Sequence, residues 1–315
     1  MKKLTIATRG SKLALWQSNH IKSVIESNFT DVEVELKIII TSGDKILDVP
    51  LAKIGGKGLF LKEIEESMLR GEAQMAVHSL KDVPTVMPDG LLLSAITERE
   101  DVRDAMLSEK YPDIVSLPHG AVVGTSSLRR RMQIIKQRPD LIIKDLRGNV
   151  DTRIRKLKEG EFDAIILAAA GINRLGFSNL VEHFYPIALD EMLPAMGQGA
   201  LGIETVSEPW VLEIAQFLDN ENSRIETTIE RGFVDTLKGG CQVPIGVSAR
   251  VQESGEVIVR SILGMPDGSE VMGDEIIVSK SDTEGVGEAM ASRLIAQGAM
   301  ELLHRAEAMA NGASE

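Results

Sequence analysis

Residues 121–176 read "AVVGTSSLRRRMQIIKQRPDLIIKDLRGNVDTRIRKLKEGEFDAIILAAAGINRLG" and show most clearly the pattern on which the fold prediction rests. Three runs rich in aliphatic residues, "AVVGT", "LIIKDL" and "FDAIILA", are each followed by a segment with helical spacing. Strands that alternate with helices in this way are typical of parallel α/β layers. The first 120 residues repeat the pattern. They predict strands at 4–8, 32–40, 73–79 and 91–96 and helices over 11–29 and near 58–70, and further extended runs follow at 185–190 and 199–205.

The pattern changes beyond about residue 220. A helix predicted over 222–237 leads into a glycine-flanked loop, and three alternating runs follow at 246–252, 256–263 and 270–279. The "PDG" between the last two runs predicts a turn. One long helix is predicted over 284–310. These features predict a small α+β domain at the C-terminal end.

Composition narrows the class of protein. At 315 residues, two or three cores are expected. A single cysteine fits a reducing compartment. Arg9 and Lys12 interrupt any secretory signal, and the longest apolar run, at 164–172, is about half of the roughly 20 residues that span a bilayer. We therefore expect a cytoplasmic protein with no membrane partner, and the net charge of −12 argues against nucleic-acid binding.

Three predicted strand-to-helix junctions carry the same polar chemistry. Helix N-termini expose unpaired N–H groups, and hydroxyl and guanidinium groups beside them add donors for an anion. Arginine grips carboxylates with two hydrogen bonds. The junction residues are Thr8, Arg9 and Ser11; Thr125, Ser126, Ser127, Arg129 and Arg130; and Arg147 and Arg153. At any single junction the hydroxyls can simply cap the helix. Three junctions with arginine favour a ligand with several carboxylates or phosphates.

Phosphate is the competing anion, but the chain has no GxxxxGK[ST] element. The stretch "KIGGKG" (53–58) lacks that spacing, and its glycines favour a mobile loop that carries Lys53 and Lys57. A solvated surface loop explains this stretch equally well.

The stretch "HSLKDVPT" (78–85) places Lys81 and Asp82 at the end of a predicted strand. A carboxylate there can accept hydrogen bonds from a substrate N–H and stabilise developing positive charge. A turn aspartate that caps the backbone is the alternative.

The only cysteine, Cys241, lies in "LKGGCQVPIG" (237–246) between a glycine pair and a proline. Small neighbours and a rigid proline present the thiol on a shaped loop, where it could act as a nucleophile. A buried, inert cysteine is the alternative. The five histidines offer no recognisable dyad with it, so the thiol could instead hold a group.

The motifs together resemble the porphobilinogen deaminase (hydroxymethylbilane synthase) family over nearly the whole chain. They are "ATRGSKLALWQ", "GGKGLFLKEIE", "AVHSLKDVPT", "VGTSSLRR", "LRGNVDTR", "LPAMGQGALGIE" and "GGCQVPIG". The resemblance implies a transferase of porphyrin and heme biosynthesis. Such an enzyme joins four porphobilinogens head to tail, releases ammonia at each step, and frees a linear tetrapyrrole with water.

The resemblance also implies the cofactor and the site. Cys241 would hold a covalent dipyrromethane primer through a thioether, and Asp82 would assist each step. The binding residues carried over by motif position are Arg9, Ser11, Lys81, Thr125, Ser127, Arg129, Arg130, Arg147, Arg153, Arg174 and Gln198. No metal is implied, and the chain would work as a monomer.

The implied fold is α/β, with two periplasmic-binding-protein-like (type II) domains and a small α+β C-terminal domain. Domain 1 would comprise 1–97 and 198–216, domain 2 residues 98–197, and domain 3 residues 217–315, which carry the cysteine. Two other readings stay open from the residues alone. A noncatalytic two-lobed binding protein would suit anion capture, and a cysteine hydrolase would have a reactive free thiol.

Overall fold

The structure, a computed structural model, describes residues 1–45, 61–238 and 243–312. The chain divides into two units. One comprises Met1–Glu100 with Ala200–Arg224, and the other comprises Asp101–Gly199 with Ile225–Glu315. The second unit therefore contains both residues 121–176 and the C-terminal part of the chain.

A five-stranded sheet forms the centre of the first unit. Its strands are β1 (Lys2–Arg9), β2 (Val32–Ile39), β3 (Met75–Ser79), β4 (Leu91–Ile96) and β10 (Leu201–Val206). They lie in the order β2-β1-β3-β10-β4. Strand β1 is parallel to β2 and β3, whereas β10 is antiparallel to β3 and β4. The helices of this unit are α1 (Lys12–Asn28), α2 (Ser42–Lys45), α3 (Lys62–Leu69) and α7 (Pro209–Leu218).

Helix α1 shows how the sequence builds this layer. Ile21 and Ile25 lie one turn apart on α1, and both pack against Leu4 and Ile6 of β1 in one buried cluster. Burial of each such side chain contributes about 1.5–3 kcal/mol. The Oγ of Ser11 accepts a hydrogen bond from the Ala14 N–H and caps the helix at its first turn. The end of β1 is thereby fixed directly before the helix begins.

The second unit contains a sheet of the same design. Its strands are β5 (Asp104–Ser108), β6 (Val122–Gly124), β7 (Ile142–Lys144), β8 (Ala164–Ala168) and β9 (His183–Pro186), in the order β7-β6-β8-β5-β9. Its helices are α4 (Leu128–Gln137), α5 (Val150–Lys158) and α6 (Ala169–Leu175). As with β1 in the first sheet, the second strand of the order, β6, is parallel to both neighbours, and one strand, β5, is antiparallel to the two strands beside it. The matching strand orders confirm the predicted pair of periplasmic-binding-protein-like sheets.

The C-terminal part packs around a core of its own. Three antiparallel strands, β11 (Ile245–Val251), β12 (Glu256–Gly264) and β13 (Val271–Ser279), are joined by tight turns, and the "PDG" stretch lies in the second of these turns. The helices are α8 (Glu221–Thr236), α9 (Val286–Ala296) and α10 (Ala299–Gly312). Phe233 of α8 and Met290 of α9 are buried with Val257 of β12 in a single cluster. The predicted α+β character of this region is confirmed.

The outer edge of β11 is covered by side chains and by a loop. The Val247 N–H donates to the Pro194 carbonyl at 3.0 Å. The Ala249 N–H donates to Glu230 Oε1 and the Val251 N–H to Glu226 Oε1, each at 3.0 Å. The other Glu230 oxygen accepts from the Gly197 N–H at 2.6 Å, so this buried carboxylate joins β11 to the loop before β10.

Three predictions of local structure are wrong or incomplete. The single C-terminal helix breaks at Gly298, whose φ of +99° lies in the left-handed region, so two helices form. The sequence analysis gave no strand at Asp104–Ser108 and no helix at Pro209–Leu218. In addition, the layers are not purely parallel, because β5 and β10 run against their neighbours.

Candidate functional site

Asp82 lies on a short 3-10 turn, Leu80–Asp82, that follows β3 directly. Its neighbours Leu80 and Val83 are each only 1% exposed, whereas Asp82 itself is exposed. The Leu80 N–H donates to the Ala200 carbonyl of the adjacent chain segment at 3.0 Å, and the Val83 N–H closes the turn on Leu80. The carboxylate is therefore exposed on a turn whose two ends are fixed in the core. Lys81, in the same turn, is half-buried.

The first junction places Arg9 and Ser11 at the carboxyl end of β1. Arg9 is the last residue of the strand and is half-buried. Ser11 caps α1, so its hydroxyl has the structural role that the sequence analysis kept as the alternative. A ligand contact from Ser11 stays a prediction.

The second junction is similar. The Oγ1 of Thr125 accepts from the Ser127 N–H at 3.2 Å, and the Oγ of Ser127 caps α4 by accepting from the Arg130 N–H at 3.5 Å. Ser126 bonds with both backbone groups of Leu146, which ties this junction to the segment that follows β7. The hydroxyls thus organise the start of α4, and their contact with a ligand is untested.

Arg129 and Arg130 point inward rather than to solvent. Both bind Asp104, which is fully buried at the start of β5. Arg129 Nη1 is 2.5 Å from Asp104 Oδ2 and 2.7 Å from the Leu193 carbonyl. Arg130 Nη2 is 2.7 Å from Asp104 Oδ1, and Gln198 Nε2 reaches the same oxygen at 3.0 Å. These contacts of the two guanidinium groups are all internal to the second unit.

The charge balance of this network is unusual. Burial alone would raise the pKa of Asp104, but Arg129 and Arg130 hold it well below its usual range. One carboxylate therefore forms ion pairs with two buried guanidinium groups. The sequence analysis missed Asp104, and the available signal was a carboxylate at the start of the apolar run "DAML" in a chain with paired arginines.

The third junction holds Arg147 and Arg153. Arg153, on the first turns of α5, donates from Nε to the Gly148 carbonyl at 2.7 Å. Among the described residues, no aspartate or glutamate is paired with Arg153. Burial, together with nearby Arg130 and Arg147, lowers the pKa of Arg153 from 12.5 to about 10. A carboxylate-bearing ligand would relieve this repulsion, so the donor set fits a cofactor whose rings carry acetate and propionate groups.

Of the two remaining predicted residues, Arg174 lies within the described part of the chain and Cys241 does not. Arg174, in the last turn of α6, is half-buried and donates from Nη2 to the Gly199 carbonyl at 2.6 Å. Cys241 and the "KIGGKG" stretch with Lys53 and Lys57 lie outside the described residues. The attachment site and the loop prediction therefore rest on the sequence.

No helix in the ranges that the structure describes is long and apolar enough to cross a membrane. Within the same ranges, no group of three or more His, Cys, Asp or Glu side chains could hold a metal ion.

The fold and these junctions define an α/β protein with two similar sheets and a concentration of arginine suited to an anionic ligand. Two family models cover most of the chain: "Porphobilinogen deaminase, dipyromethane cofactor binding domain" matches residues 4–212, and "Porphobilinogen deaminase, C-terminal domain" matches residues 224–296. The chain belongs to the porphobilinogen deaminase family.

Relatives agree with the family models over nearly full length. A porphobilinogen deaminase of Sulfurimonas denitrificans is 69% identical, with 98% of this chain and 99% of the relative covered. One of Campylobacter hominis is 62% identical, with 98% and 100% covered. Among solved structures, the probable amino-acid ABC transporter extracellular-binding protein ytmK of Bacillus subtilis is 11% identical over 69% of this chain and 90% of its own, with a TM-score of 0.41.

Proposed function

We propose that this chain is a hydroxymethylbilane synthase that uses Asp82 as its catalytic carboxylate and Cys241 as the attachment point of a dipyrromethane cofactor. As a transferase of its family, it acts on porphobilinogen and belongs to porphyrin biosynthesis. When bound, the cofactor supplies the pyrrole carbon on which the product chain grows. The remaining chemistry falls to side chains of the protein.

The proposed role of Asp82 follows from the charge that the reaction creates. Loss of ammonia from the aminomethyl group of porphobilinogen leaves a cationic, electron-poor pyrrole. A carboxylate that accepts hydrogen bonds from pyrrole N–H groups stabilises that charge, and a fixed carboxylate does so without having to reorganise. The turn that holds Asp82 between buried Leu80 and Val83 supports this role, because it fixes the backbone on both sides of the side chain.

The proposed roles of the arginines fall into two groups. Arg129 and Arg130, with Gln198, share the Asp104 carboxylate and order the start of α4. Arg147 and Arg153 bind ligand carboxylates, with Arg9, Lys81 and Arg174 as further contacts and with Ser11, Thr125 and Ser127 at the helix starts. The observation that carries the proposal is Arg153, a cation with lowered pKa beside two other arginines and with no described acidic partner.

The intact mass of the purified protein tests the proposal. We expect a mass above that of the sequence by two pyrrole units, since the primer would be bound covalently. The Cys241→Ser variant should have the unmodified mass, because a thioether needs the thiol. An unmodified wild-type mass with a freely titrating thiol would contradict the proposal and would favour a cysteine hydrolase or a simple binding protein.

We also propose a cytoplasmic location, a monomeric state and no nucleic-acid partner. The net charge of −12 supports the last two, because it repels both nucleic acid and further copies of the chain.

A further inference from the structure

A buried pair of ionisable side chains lies close to the Asp82 turn and has no part in the function proposed so far. His78 Nε2 of β3 and Glu204 Oε2 of β10 are 2.8 Å apart. The His78 side chain is 8% exposed and that of Glu204 is fully buried. The second Glu204 oxygen, Oε1, has no hydrogen-bond partner in the part of the chain that the structure describes.

Stability alone is a weak reason for such a pair. Removal of two ionisable groups from water is costly, and replacement of a buried ion pair by apolar residues of similar volume is often neutral or stabilising. Strands β3 and β10 are in addition already joined by a five-residue backbone ladder from Ser79–Leu201 to Met75–Thr205. The pair therefore calls for a role beyond strand pairing.

The surroundings of the pair connect it to the turn. In the ladder His78 lies opposite Gly202, and the next residues of the chain form the turn that carries Asp82. A Cβ at Gly202 would lie 3.1 Å from a Leu80 methyl group and 3.6 Å from one of Val83, so this glycine leaves room for both anchors of the turn. Gly202 of β10 thus lies against His78 and against both anchors of the turn, Leu80 and Val83.

A third ionisable group faces the pair from α3. Burial raises the pKa of Glu65, the negative charge of Glu204 raises it further, and His78 partly opposes this. The charges of Glu65 and Glu204 thus interact beside His78. Loss of His78 would remove the hydrogen-bond partner of Glu204 Oε2 and the group that opposes the rise in the pKa of Glu65.

We propose that the His78–Glu204 pair positions Asp82: the hydrogen bond between β3 and β10 sets the direction in which the turn Leu80–Asp82 presents its carboxylate. This inference rests on the catalytic role proposed above for Asp82. His78 and Glu204 are positioning residues, because they act through the turn without contacting the substrate.

A double-mutant cycle on the holoenzyme tests this proposal, with kcat and KM for porphobilinogen consumption measured at high enzyme concentration. We expect His78→Leu to lower kcat by about 10²-fold, the scale for a catalytic group misplaced by about 1 Å, with a smaller change in KM. Asp82→Ala should lower kcat by roughly 10²- to 10⁴-fold. Combined with Asp82→Ala, His78→Leu should produce no further loss, because the group that it positions is already absent.

Conservative variants separate positioning from folding. His78→Gln keeps an amide donor that can reach Glu204, so it should recover most of the kcat lost in His78→Leu. Glu204→Gln keeps the shape of the side chain but weakens the hydrogen bond to His78. If His78→Leu does not fold, Glu204→Gln takes its place in the double-mutant cycle with Asp82→Ala.

Thr205→Val is the matched control. It removes a hydrogen bond of 2.6 Å to Ser94 at the adjacent residue of β10, on the side that faces β4. We expect it to lower the thermal unfolding temperature as His78→Leu does but to leave kcat near the wild-type value.

The outcomes are distinguishable. Equal losses of kcat in Thr205→Val and His78→Leu, or additive losses in the cycle, would overturn the positioning role and leave the function of Asp82 intact. A folded Asp82→Ala protein with normal turnover would overturn the proposed catalytic role and this inference with it.

Discussion

At Asp104 a single carboxylate pairs with two arginine side chains inside the second unit. Removal of one member of a buried ion pair usually costs about 3–5 kcal/mol, because an uncompensated charge stays behind. Here the loss of the carboxylate would leave both Arg129 and Arg130 unbalanced, next to Arg153, whose pKa is already lowered. Asp104 is therefore the residue whose charge the arginine region depends on most.

The pH dependence of stability tests this role. Because the two arginines lower the pKa of folded Asp104 below its unfolded value near 3.8, the stabilisation is fully present above about pH 5. It should be lost as the pH falls towards the folded-state pKa, by up to about 1.4 kcal/mol per pH unit for one proton. In urea unfolding, the difference in unfolding free energy between wild type and Asp104→Asn should hence be constant above pH 5 and shrink below pH 4.

Asp89→Asn, at an exposed aspartate of the first unit, is the control and should show no such convergence. A difference between wild type and Asp104→Asn that stays the same from pH 7 to pH 3 would contradict the charged network.

At the residue scale the sequence predicted the chemical type of the site residues better than their positions and contacts in the structure. The three junctions and Asp82 were recognisable because residue type and position at a strand end suffice to suggest an anion site at the junctions and a carboxylate for developing positive charge at Asp82. The inward direction of Arg129 and Arg130 could not be read, because it depends on Asp104, which comes from a different strand. The pairing of His78 with Glu204 joins residues 126 positions apart and likewise requires the register of β3 and β10.

Among the elements, strand β11 depends on groups outside its own sheet. Its N–H groups at Val247, Ala249 and Val251 bond to Pro194, Glu230 and Glu226 in turn. Since Glu230 also binds the Gly197 N–H, it couples the strand to the segment that supplies the Leu193 carbonyl to Arg129. The C-terminal sheet and the arginine helix α4 are thus linked through one loop.

Glu230→Ala should therefore lower the free energy of unfolding by about 2–6 kcal/mol. It would leave two buried N–H groups, those of Ala249 and Gly197, unsatisfied at about 1–3 kcal/mol each. Glu301→Ala, at an exposed glutamate of α10, should change stability by less than about 0.5 kcal/mol. Chemical denaturation of both variants measures the contrast, and similar small effects would argue against the bridging role of Glu230.

Whether a segment forms a helix or a strand was predictable where its apolar pattern was periodic. The residues at which the helices and strands begin and end were not. The strand and helix alternation over 121–176 was confirmed because each segment keeps one apolar period. The break at Gly298 was missed because the apolar spacing continues on both sides of it, while the backbone turns at a single positive φ. Strand β5 was missed because it is short and buried throughout, so it shows no alternation.

For the whole molecule, the residue patterns indicated α/β layers, whereas the return of residues 198–216 to the first domain was expected only from the family resemblance. Strand β10 completes the first sheet between β3 and β4, although about a hundred residues of the second unit precede it. Such a long-range pairing leaves no local signal in the sequence. The division into three domains at the boundaries given above remains a prediction.

Light scattering tests the predicted oligomeric state. We expect particles of one chain, about 34.3 kDa plus the bound primer, because a net charge of −12 opposes self-association at low salt. Salt at 0.5 M screens the repulsion between chains. The mass should stay unchanged there if the chain has no surface that binds a second copy. A mass of two chains under either condition would contradict the prediction.

The cover on β11 has a consequence for synthesis on the ribosome. A bare strand edge is a template on which another chain can pair and aggregate. Pro194, Glu226 and Glu230 all precede residues 247–251 in the chain, so the groups that cover this edge emerge before the edge itself. As a nascent chain folds from its N-terminal end, β11 can be covered as soon as it appears, without a period of exposure to neighbouring chains.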